Sequence, residues 1–402
     1  MLPVWKRNLL MLWISQILVM AGYDAMNPFI PLFMKNGLGL TEAASLALYV
    51  ALYNIGAYIA YGISNPLWGW MGDRYGMKPM LLRGTFLTAF LWPVMGYIHS
   101  PTTLVVLRFA TAFLAGTTSA SQMMIARTAP LERQGFAQGV LTTAVWSGST
   151  LGCLVGGTMI HYASYRSAFW MCGIMYFFAG ISILFTEDKG TSAAKTNAPA
   201  QPAGSWLRRI TANGLSAATW TVIGLYLILG VISRFDLPFV ALRVEQIVGN
   251  ERADYVTGII SAIVGIGSIL SGICCGYLAD KYPPQKLLLP VLVICGMFAV
   301  FQGVGQNVSF FAASRTLFFF AIGALGPMIQ KLLTTVTPHD KRGLAFGFNS
   351  TAFCLGGIIA SSLGGLIMAS SGIAGIFLGT GLLALIAYPV FLFGVKYAQR
   401  KK

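Results

Sequence analysis

The sequence predicts an all-α membrane protein of twelve transmembrane helices, arranged as two pseudo-symmetric bundles of six. Three observations predict this fold class: only 10% of the 402 residues are charged, long apolar stretches recur along the chain, and the second half repeats the first. Asp73 and Arg108 are each followed 207 residues later by a counterpart, Asp280 and Arg315. A duplicated, glycine-rich, apolar chain is typical of secondary transporters.

The apolar stretches supply the predicted transmembrane helices. The chain is 56% hydrophobic with a mean hydropathy of +0.71. A helix of about 20 apolar residues crosses a hydrocarbon core of roughly 30 Å. Stretches of that length predict six spans in each half: 8–34, 45–68, 79–98, 102–126, 136–160 and 165–186, then 218–242, 254–279, 286–305, 308–331, 342–369 and 372–395.

The basic residues predict the orientation of the chain. A net charge of +15 would suggest a nucleic-acid partner in a soluble protein, but most of the 27 Lys and Arg residues fall in loops on one side of the predicted membrane. The loops on the other side carry only Lys35, Arg166, Arg243 and Arg252. This asymmetry follows the positive-inside rule, so we expect both termini in the cytoplasm and no nucleic-acid partner.

A polar stretch after the sixth predicted span divides the chain into domains. The segment from Glu187 to Asn213 contains Pro, Gly, Ser and Thr and predicts a flexible cytoplasmic linker. We therefore expect a six-helix bundle at 1–186, a linker at 187–217 and a second bundle at 218–402. The apolar run after Lys6 and Arg7 is too long for a signal-peptide core, so it predicts an uncleaved first helix.

The loop after the second predicted span carries a motif of glycines and charges: Gly69, Asp73, Arg74, Gly76 and Lys78. It resembles motif A of the major facilitator superfamily, G-x-L-x-D-R-x-G-R/K-K/R. The resemblance implies a conformational latch formed by these residues and by Asp280 in the second copy, where Pro283 replaces the later glycine. The alternative is a basic loop that only orients the chain.

The fourth span resembles motif B of the same superfamily, with Arg108 followed eight residues later by Gly116. An arginine in an apolar span should face a cavity and have a partner, unless it reaches the membrane interface. At a rise of about 1.5 Å per residue, Asp24 in the first span lies at a similar depth. Because the first and fourth helices line the central cavity in the superfamily fold, the resemblance implies that Asp24 and Arg108 form a proton-coupling pair.

The seventh span offers a related set of charges. It contains Arg234 and Asp236, and Arg315 in the tenth span is the counterpart of Arg108. Residues two apart on a helix do not share a face, so we expect Arg234 and Asp236 to have different partners. They face either the substrate cavity or the membrane interface.

Four glycines of the fifth span resemble motif C of proton-driven antiporters, G-x-x-x-G-P-x-x-G-G: Gly148, Gly152, Gly156 and Gly157. Cys153 stands where the pattern has proline. Small residues four apart allow close helix contact, so a packing seam is the alternative. The resemblance implies the twelve-helix drug/proton antiporter branch of the superfamily.

Aromatic and polar residues inside the spans are candidates for the substrate cavity. A cavity for lipophilic compounds needs aromatic surface and few polar anchors. The candidates are Tyr23, Asn27, Asn54, Tyr58, Gln122, Trp146, Tyr226, Arg234, Asp236 and Arg315. Hydrogen bonding between helices is the alternative role of the amides.

Together these features predict a monomeric transporter of the cell (inner) membrane that exports small lipophilic compounds or drugs by proton-coupled alternating access. An anionic metabolite or a sugar-like solute is the alternative substrate, and a non-transporting receptor is a further possibility. The sequence contains no phosphate-binding loop and no His-rich or paired-cysteine cluster. We therefore expect no enzyme activity, no metal and no cofactor; the partners are the substrate, protons and the lipid bilayer.

Overall fold

The computed structural model describes residues 3–130, 133–188, 215–281, 284–338 and 342–400. Within these ranges, nine helical stretches are long and apolar enough to cross a membrane. One of them, Phe348–Gly394, contains parts of two spans because the helical geometry breaks at Gly372, where φ is 70°. Two further helices, Met77–Met95 and Pro284–Val304, complete the predicted set of twelve. Most of the predicted linker lies outside the described residues, so the domain boundaries stay a prediction.

The spans are numbered 1 to 12 along the chain. Those of the N-terminal half are Val4–Gly37, Ala43–Tyr75, Met77–Met95, Pro101–Thr128, Gln134–Tyr162 and Tyr165–Leu184. Those of the C-terminal half are Ala217–Val248, Asn250–Lys281, Pro284–Val304, Val308–Val336, 342–371 and 373–400. The end of the bundle that holds Lys35 is named the outer end, following the predicted orientation, and the opposite end is the inner end.

Spans 1 and 7 change helix type at equivalent positions. The α-helix Val4–Asp24 gives way to a 3-10 turn at Asn27–Phe29, and the α-helix Ala217–Arg234 gives way to one at Leu237–Phe239. Each turn contains a proline, which lacks the backbone N–H that a regular helix requires. The irregular backbone therefore lies beside the intramembrane acids of both spans.

Span 4 is broken, although its sequence predicts one continuous helix. Its two helices, Pro101–Leu114 and Thr117–Thr128, meet at Gly116, where φ is 108° and favours glycine. The break frees backbone carbonyls that need donors inside a membrane. Trp68 donates to the carbonyl of Phe113 at 2.6 Å, and Arg83 donates to that of Leu114 at 3.3 Å. Arg83 of span 3 thus supports the break.

The two halves meet through two equivalent helix pairs, span 5 with span 8 and span 2 with span 11. Gly157 packs against the backbone of span 8, and a Cβ there would lie 3.0 Å from the Cα of Gly258. Gly365 of span 11 packs in the same way against Ala47 and Ala51 of span 2. One apolar cluster near the outer end includes residues of both halves, among them Phe33 and Phe239. The glycines thus allow the halves to approach at backbone distance.

Polar side chains close the outer end across the two halves. Lys35 pairs with Glu245 at 2.6 Å, and Glu245 is only 9% exposed. Asn36 donates to the side chain of Asn250 at 2.8 Å. The Tyr165 hydroxyl donates to the Asp254 carboxylate of span 8 at 3.2 Å. These contacts hold spans 1 and 6 against spans 7 and 8, so the outer end is sealed.

We predict that reversing the charge of Lys35 opens the outer end. The Lys35→Glu change places two carboxylates opposite each other, and the loss of one partly buried ion pair costs on the order of 1 kcal/mol, a several-fold change in population. Spin labels at the exposed positions Thr41 and Arg252 would report the separation of the halves by electron paramagnetic resonance. The charge-swapped Lys35→Glu/Glu245→Lys protein is the control and should restore the short distance. An unchanged distance distribution in the single variant would contradict the prediction.

Candidate functional site

A cavity of about 210 Å³ lies between the two halves of the bundle. Its walls come from spans 1, 2 and 4 of the N-terminal half and from spans 7 and 11 of the C-terminal half. The lining residues are Tyr23, Asn54, Ala57, Tyr58, Tyr61, Asn65, Arg108, Arg234 and Cys354. The structure therefore brings together these predicted residues: Tyr23, Asn54, Tyr58, Arg108 and Arg234.

Arg108 is buried among tyrosines. Its side chain donates to the Tyr23 hydroxyl at 2.7 Å, and its guanidinium lies 4.9 Å from the ring centre of Tyr23 and 5.1 Å from that of Tyr53. The negative faces of aromatic rings attract a cation, which partly compensates for lost hydration. The Nε–H of Arg108 has no hydrogen-bond partner among the described residues. The guanidinium is thus held in place and only partly satisfied.

Arg234 reaches the same cavity from the other half. It donates to the Tyr58 hydroxyl of span 2 at 2.6 Å, and its guanidinium lies 4.5 Å from the ring centre of Phe353. Its Nε–H also lacks a partner within the described part of the chain. The bond to Tyr58 joins the two halves inside the membrane, below the sealed outer end.

Asp24 lies beside the cavity and faces span 5. We expected its carboxylate to be the partner of Arg108, but the described residues contain no ion pair between the two, and the Tyr23 hydroxyl occupies that position. Successive residues of a helix point about 100° apart, so Tyr23 faces span 4 while Asp24 faces Ser149. The charge of Arg108 still acts on Asp24. The two groups interact through space, without direct contact.

Asp236 and Arg315 form the direct ion pair that the N-terminal half lacks. Arg315 donates to the Asp236 carboxylate at 2.6 Å and to Gln302 of span 9 at 2.8 Å. Asp236 is 0% exposed and Arg315 is 3% exposed. The pair is enclosed within the C-terminal half and does not line the cavity. As expected, Arg234 and Asp236 have different partners.

The remaining cavity candidates lie elsewhere. Asn27 begins the 3-10 turn of span 1. Gln122 and Trp146 have exposed side chains on spans 4 and 5. The hydroxyl of Tyr226 accepts from Gln330 at 3.2 Å within the C-terminal half. None of these four lines the cavity in this conformation.

Three of the four motif C glycines form the contact between spans 5 and 1, and the fourth, Gly157, packs against span 8. A Cβ on Gly148 would lie 2.5 Å from the carbonyl oxygen of Ile17, and one on Gly152 or Gly156 would overlap the carbonyl of Ala21 or Ala25. The four-residue spacing on both helices keeps the backbones in register. This close contact of spans 5 and 1 brings Ser149 next to Asp24. The helix pair that packs through glycines therefore also positions the candidate proton-coupling acid.

The motif A loop is held by the chain that follows span 6. Asp188 accepts from the backbone N–H groups of Met77 at 2.7 Å and Lys78 at 3.0 Å, at the start of span 3. The Lys78 ammonium donates to two carbonyls of that chain at 2.7 Å each, and Arg74 stacks on neighbouring aromatic rings. Gly76 adopts a φ of 96° between the helices. The environment of Gly69 and the side chains of Asp73 and Asp280 lie outside the described part, so the latch stays a prediction.

Several cavity residues were absent from the predicted set: Ala57, Tyr61, Asn65 and Cys354. The residues of span 2 could have been found by their period, because positions 54, 57, 58, 61 and 65 lie on one helical face. Gln302 and Ser149 carried no comparable signal, since isolated polar residues occur throughout the spans.

Comparisons with known proteins agree with this architecture. The sequence model described as "Major Facilitator Superfamily" matches residues 12–301 and 252–402. A multidrug resistance protein MdtG from Enterobacter lignolyticus (strain SCF1) is 28% identical over 386 residues, covering 95% of this chain and 90% of that protein. The MdtG protein of Salmonella schwarzengrund (strain CVM19633) is also 28% identical, over 93% of this chain and 91% of its own length.

Two solved structures share the fold. A bacterial homolog of the human lysosomal transporter Spinster, in an inward-facing and unoccupied conformation, aligns with a TM-score of 0.80 and 14% identity, covering 100% of this chain and 99% of its own. The nucleoside transporter NupG, solved as a mutant, aligns with a TM-score of 0.81 and 11% identity, covering 96% of this chain and 99% of its own. At these identities the similarity establishes the arrangement of helices only.

We predict that adding one methyl group to the glycine seam destabilises the protein. The Gly156→Ala change forces span 5 away from Ala25 and should cost about 1–3 kcal/mol, as other overpacked cores do. The matched control is Gly139→Ala on the same span, where a Cβ has open space and helix propensity favours alanine by up to about 1 kcal/mol. Denaturant titration in detergent micelles would measure both. Equal stability of the two variants would disprove tight packing at Gly156.

We also predict that the two halves respond differently to neutralisation of their intramembrane acids. The Asp236→Asn change leaves Arg315 charged, buried and without its carboxylate, which should lower the free energy of unfolding by about 3–5 kcal/mol. The equivalent Asp24→Asn change breaks no ion pair among the described residues and should cost much less. Thermal unfolding of the two purified variants would show this difference, and similar melting temperatures would refute it.

Proposed function

Because this chain belongs to the Major Facilitator Superfamily, we propose that it is a secondary active transporter that exports small organic compounds, including drugs, in exchange for protons. The observation that carries the proposal is the cavity between the two halves, with Asp24 beside it and a sealed outer end. The names of the MdtG relatives support drug export as the direction and substrate class. Transport accounts for this site better than catalysis does, since the described residues that line the cavity include no nucleophile paired to a base.

Alternating access provides the transport step. With the outer end closed by polar pairs, the cavity loads from the inner end, and the two bundles then rock about it to release the substrate outside. Separation at the outer end breaks the contacts of Lys35 with Glu245 and of Asn36 with Asn250, and it divides the apolar cluster that includes Phe33 and Phe239. Because both termini are predicted to lie in the cytoplasm, release of the substrate at the outer end is export from the cell.

Asp24 is the proposed proton carrier. It is adjacent in sequence to Tyr23, which lines the cavity, and it is electrostatically coupled to Arg108. A carboxylate held between an apolar environment and a guanidinium experiences opposing influences on its charge, so its protonation can change with its surroundings. Movement of the bundles changes those surroundings, and the proton is taken up on one side and released on the other.

We predict that Asp24→Asn abolishes substrate-induced proton movement in proteoliposomes while leaving the protein folded. Asparagine preserves the shape of the side chain and removes the site of protonation. A pH-sensitive dye inside the vesicles would measure proton flux when a substrate gradient is imposed. Wild-type protein should give a flux that collapses with an uncoupler.

The matched control is Glu251→Gln, which neutralises an exposed acid at the outer end. It should retain coupled flux, because the observed contact of Glu251 uses its backbone carbonyl. Undiminished coupling in Asp24→Asn would remove Asp24 from the mechanism. Absence of any substrate-dependent flux in the wild type would remove proton exchange itself.

A further inference from the structure

The charges that line the cavity are all of one sign. Arg108 and Arg234 both face it, and its described lining contains no Asp or Glu. Both guanidiniums are fixed by tyrosine hydroxyls, which are neutral acceptors. In each of them the Nε–H has no partner within the described residues. The cavity therefore presents two positive charges, and no compensating carboxylate of its own lining, to whatever enters it.

Two other buried arginines show how this protein satisfies a guanidinium when no ligand is involved. Arg315 pairs with Asp236 and with Gln302. Arg243, at the outer end of span 7, donates to the carbonyls of Gly303 and Gly305 at 2.9 and 2.8 Å and to Gln246 at 3.1 Å. A carboxylate satisfies Arg315, and backbone carbonyls satisfy a terminal nitrogen of Arg243, whose Nε–H has no partner among the described residues. The two cavity arginines lack such acceptors.

We propose that the cavity binds a small organic anion, with the acidic group of the anion held between Arg108 and Arg234. This inference rests on the proposed transport function and narrows its substrate class. Guanidinium groups match carboxylates and phosphates because they offer several N–H donors in one plane. A charge buried without a partner is costly inside a membrane, so an anion that supplies the partner is favoured over a neutral compound of the same shape.

The walls define the rest of the ligand. Tyr58 and Tyr61 offer ring surface, Ala57 offers apolar contact, and Asn54 and Asn65 offer amide groups. A cavity of about 210 Å³ suits a compact molecule with a planar or apolar body. Because Arg108 and Arg234 belong to different halves, a bound acid group also joins the two bundles. Before an anion binds, the Tyr58 hydroxyl accepts a hydrogen bond from Arg234. The bound anion either displaces this hydroxyl or shares the guanidinium with it.

The experiment uses three isosteric probes that differ in charge: benzoate, benzamide and benzamidinium. Binding of each to the purified full-length protein in lipid nanodiscs would be measured by calorimetry. We expect benzoate to bind at least about tenfold more tightly than benzamide, as charge-assisted hydrogen bonds predict, and benzamidinium to bind most weakly. Arg108→Gln and Arg234→Gln should each reduce this preference about tenfold or more.

Arg166→Gln is the matched control, because Arg166 is exposed at the outer end and stacks on Tyr97 outside the cavity. It should bind all three probes as the wild type does. Equal binding of benzoate and benzamide, binding of none of the three, or a benzoate preference that survives in the Arg108→Gln/Arg234→Gln double variant would overturn the proposal.

The binding experiment and the proton-flux experiment test the anion site and the proton exchange separately, so one proposal can be refuted while the other holds. A charge preference without proton-coupled flux would support the anion site and refute proton exchange. Coupled flux of another compound without a charge preference would preserve the transport function and overturn the anion site. Folding of each variant is checked by its melting temperature, so a lost preference in a stably folded Arg→Gln protein reports on the cavity.

Discussion

The cost of burying a guanidinium in a membrane interior governs the design of this protein. Each intramembrane arginine must find acceptors, because water and lipid offer none there. Arg315 is paired directly with the Asp236 carboxylate, whereas the contacts of its counterpart Arg108 are a tyrosine hydroxyl and aromatic ring surface. The duplicated unit has therefore specialised: the C-terminal copy keeps a closed ion pair that stabilises its bundle, and the N-terminal copy leaves its arginine available to the cavity.

Close backbone packing places these charges where they act. The glycines of span 5 bring that helix against span 1 so tightly that side-chain atoms are excluded, which sets Ser149 opposite Asp24. Equivalent glycines join span 11 to span 7, since a Cβ on Gly356 would lie 2.5 Å from the carbonyl of Leu227. Without an aqueous hydrophobic effect to drive helices together, such close contact supplies much of the association energy. The glycine contacts between helices thus also determine where the acid lies relative to the cavity.

Composition and repeats predicted the twelve helices and their division into two bundles, because lipid permits few alternatives for an apolar chain. They left Arg108 and Arg234 open between the cavity and the membrane interface. The hydrogen-bond and ion-pair partners of the charged residues were harder to predict. Depth arithmetic placed Asp24 level with Arg108 and could not show that the helix turns Asp24 toward span 5 and Tyr23 toward span 4. The break at Gly116 was hidden because a glycine in a membrane helix also serves as a packing residue, as the counterpart Gly323 does in an unbroken helix.

The charges around the cavity also decide how an anion and a proton would share one transport cycle. The two arginines carry two positive charges and an ionised Asp24 one negative charge, which leaves one net positive charge for a monovalent anion to neutralise. In the proposed cycle, the loaded outward step moves a neutral complex, while the return with protonated Asp24 carries positive charge inward. A negative cell interior favours that return by about 2.3 kcal/mol per charge at 100 mV. The membrane potential and the proton gradient would then drive export of the anion in the same direction.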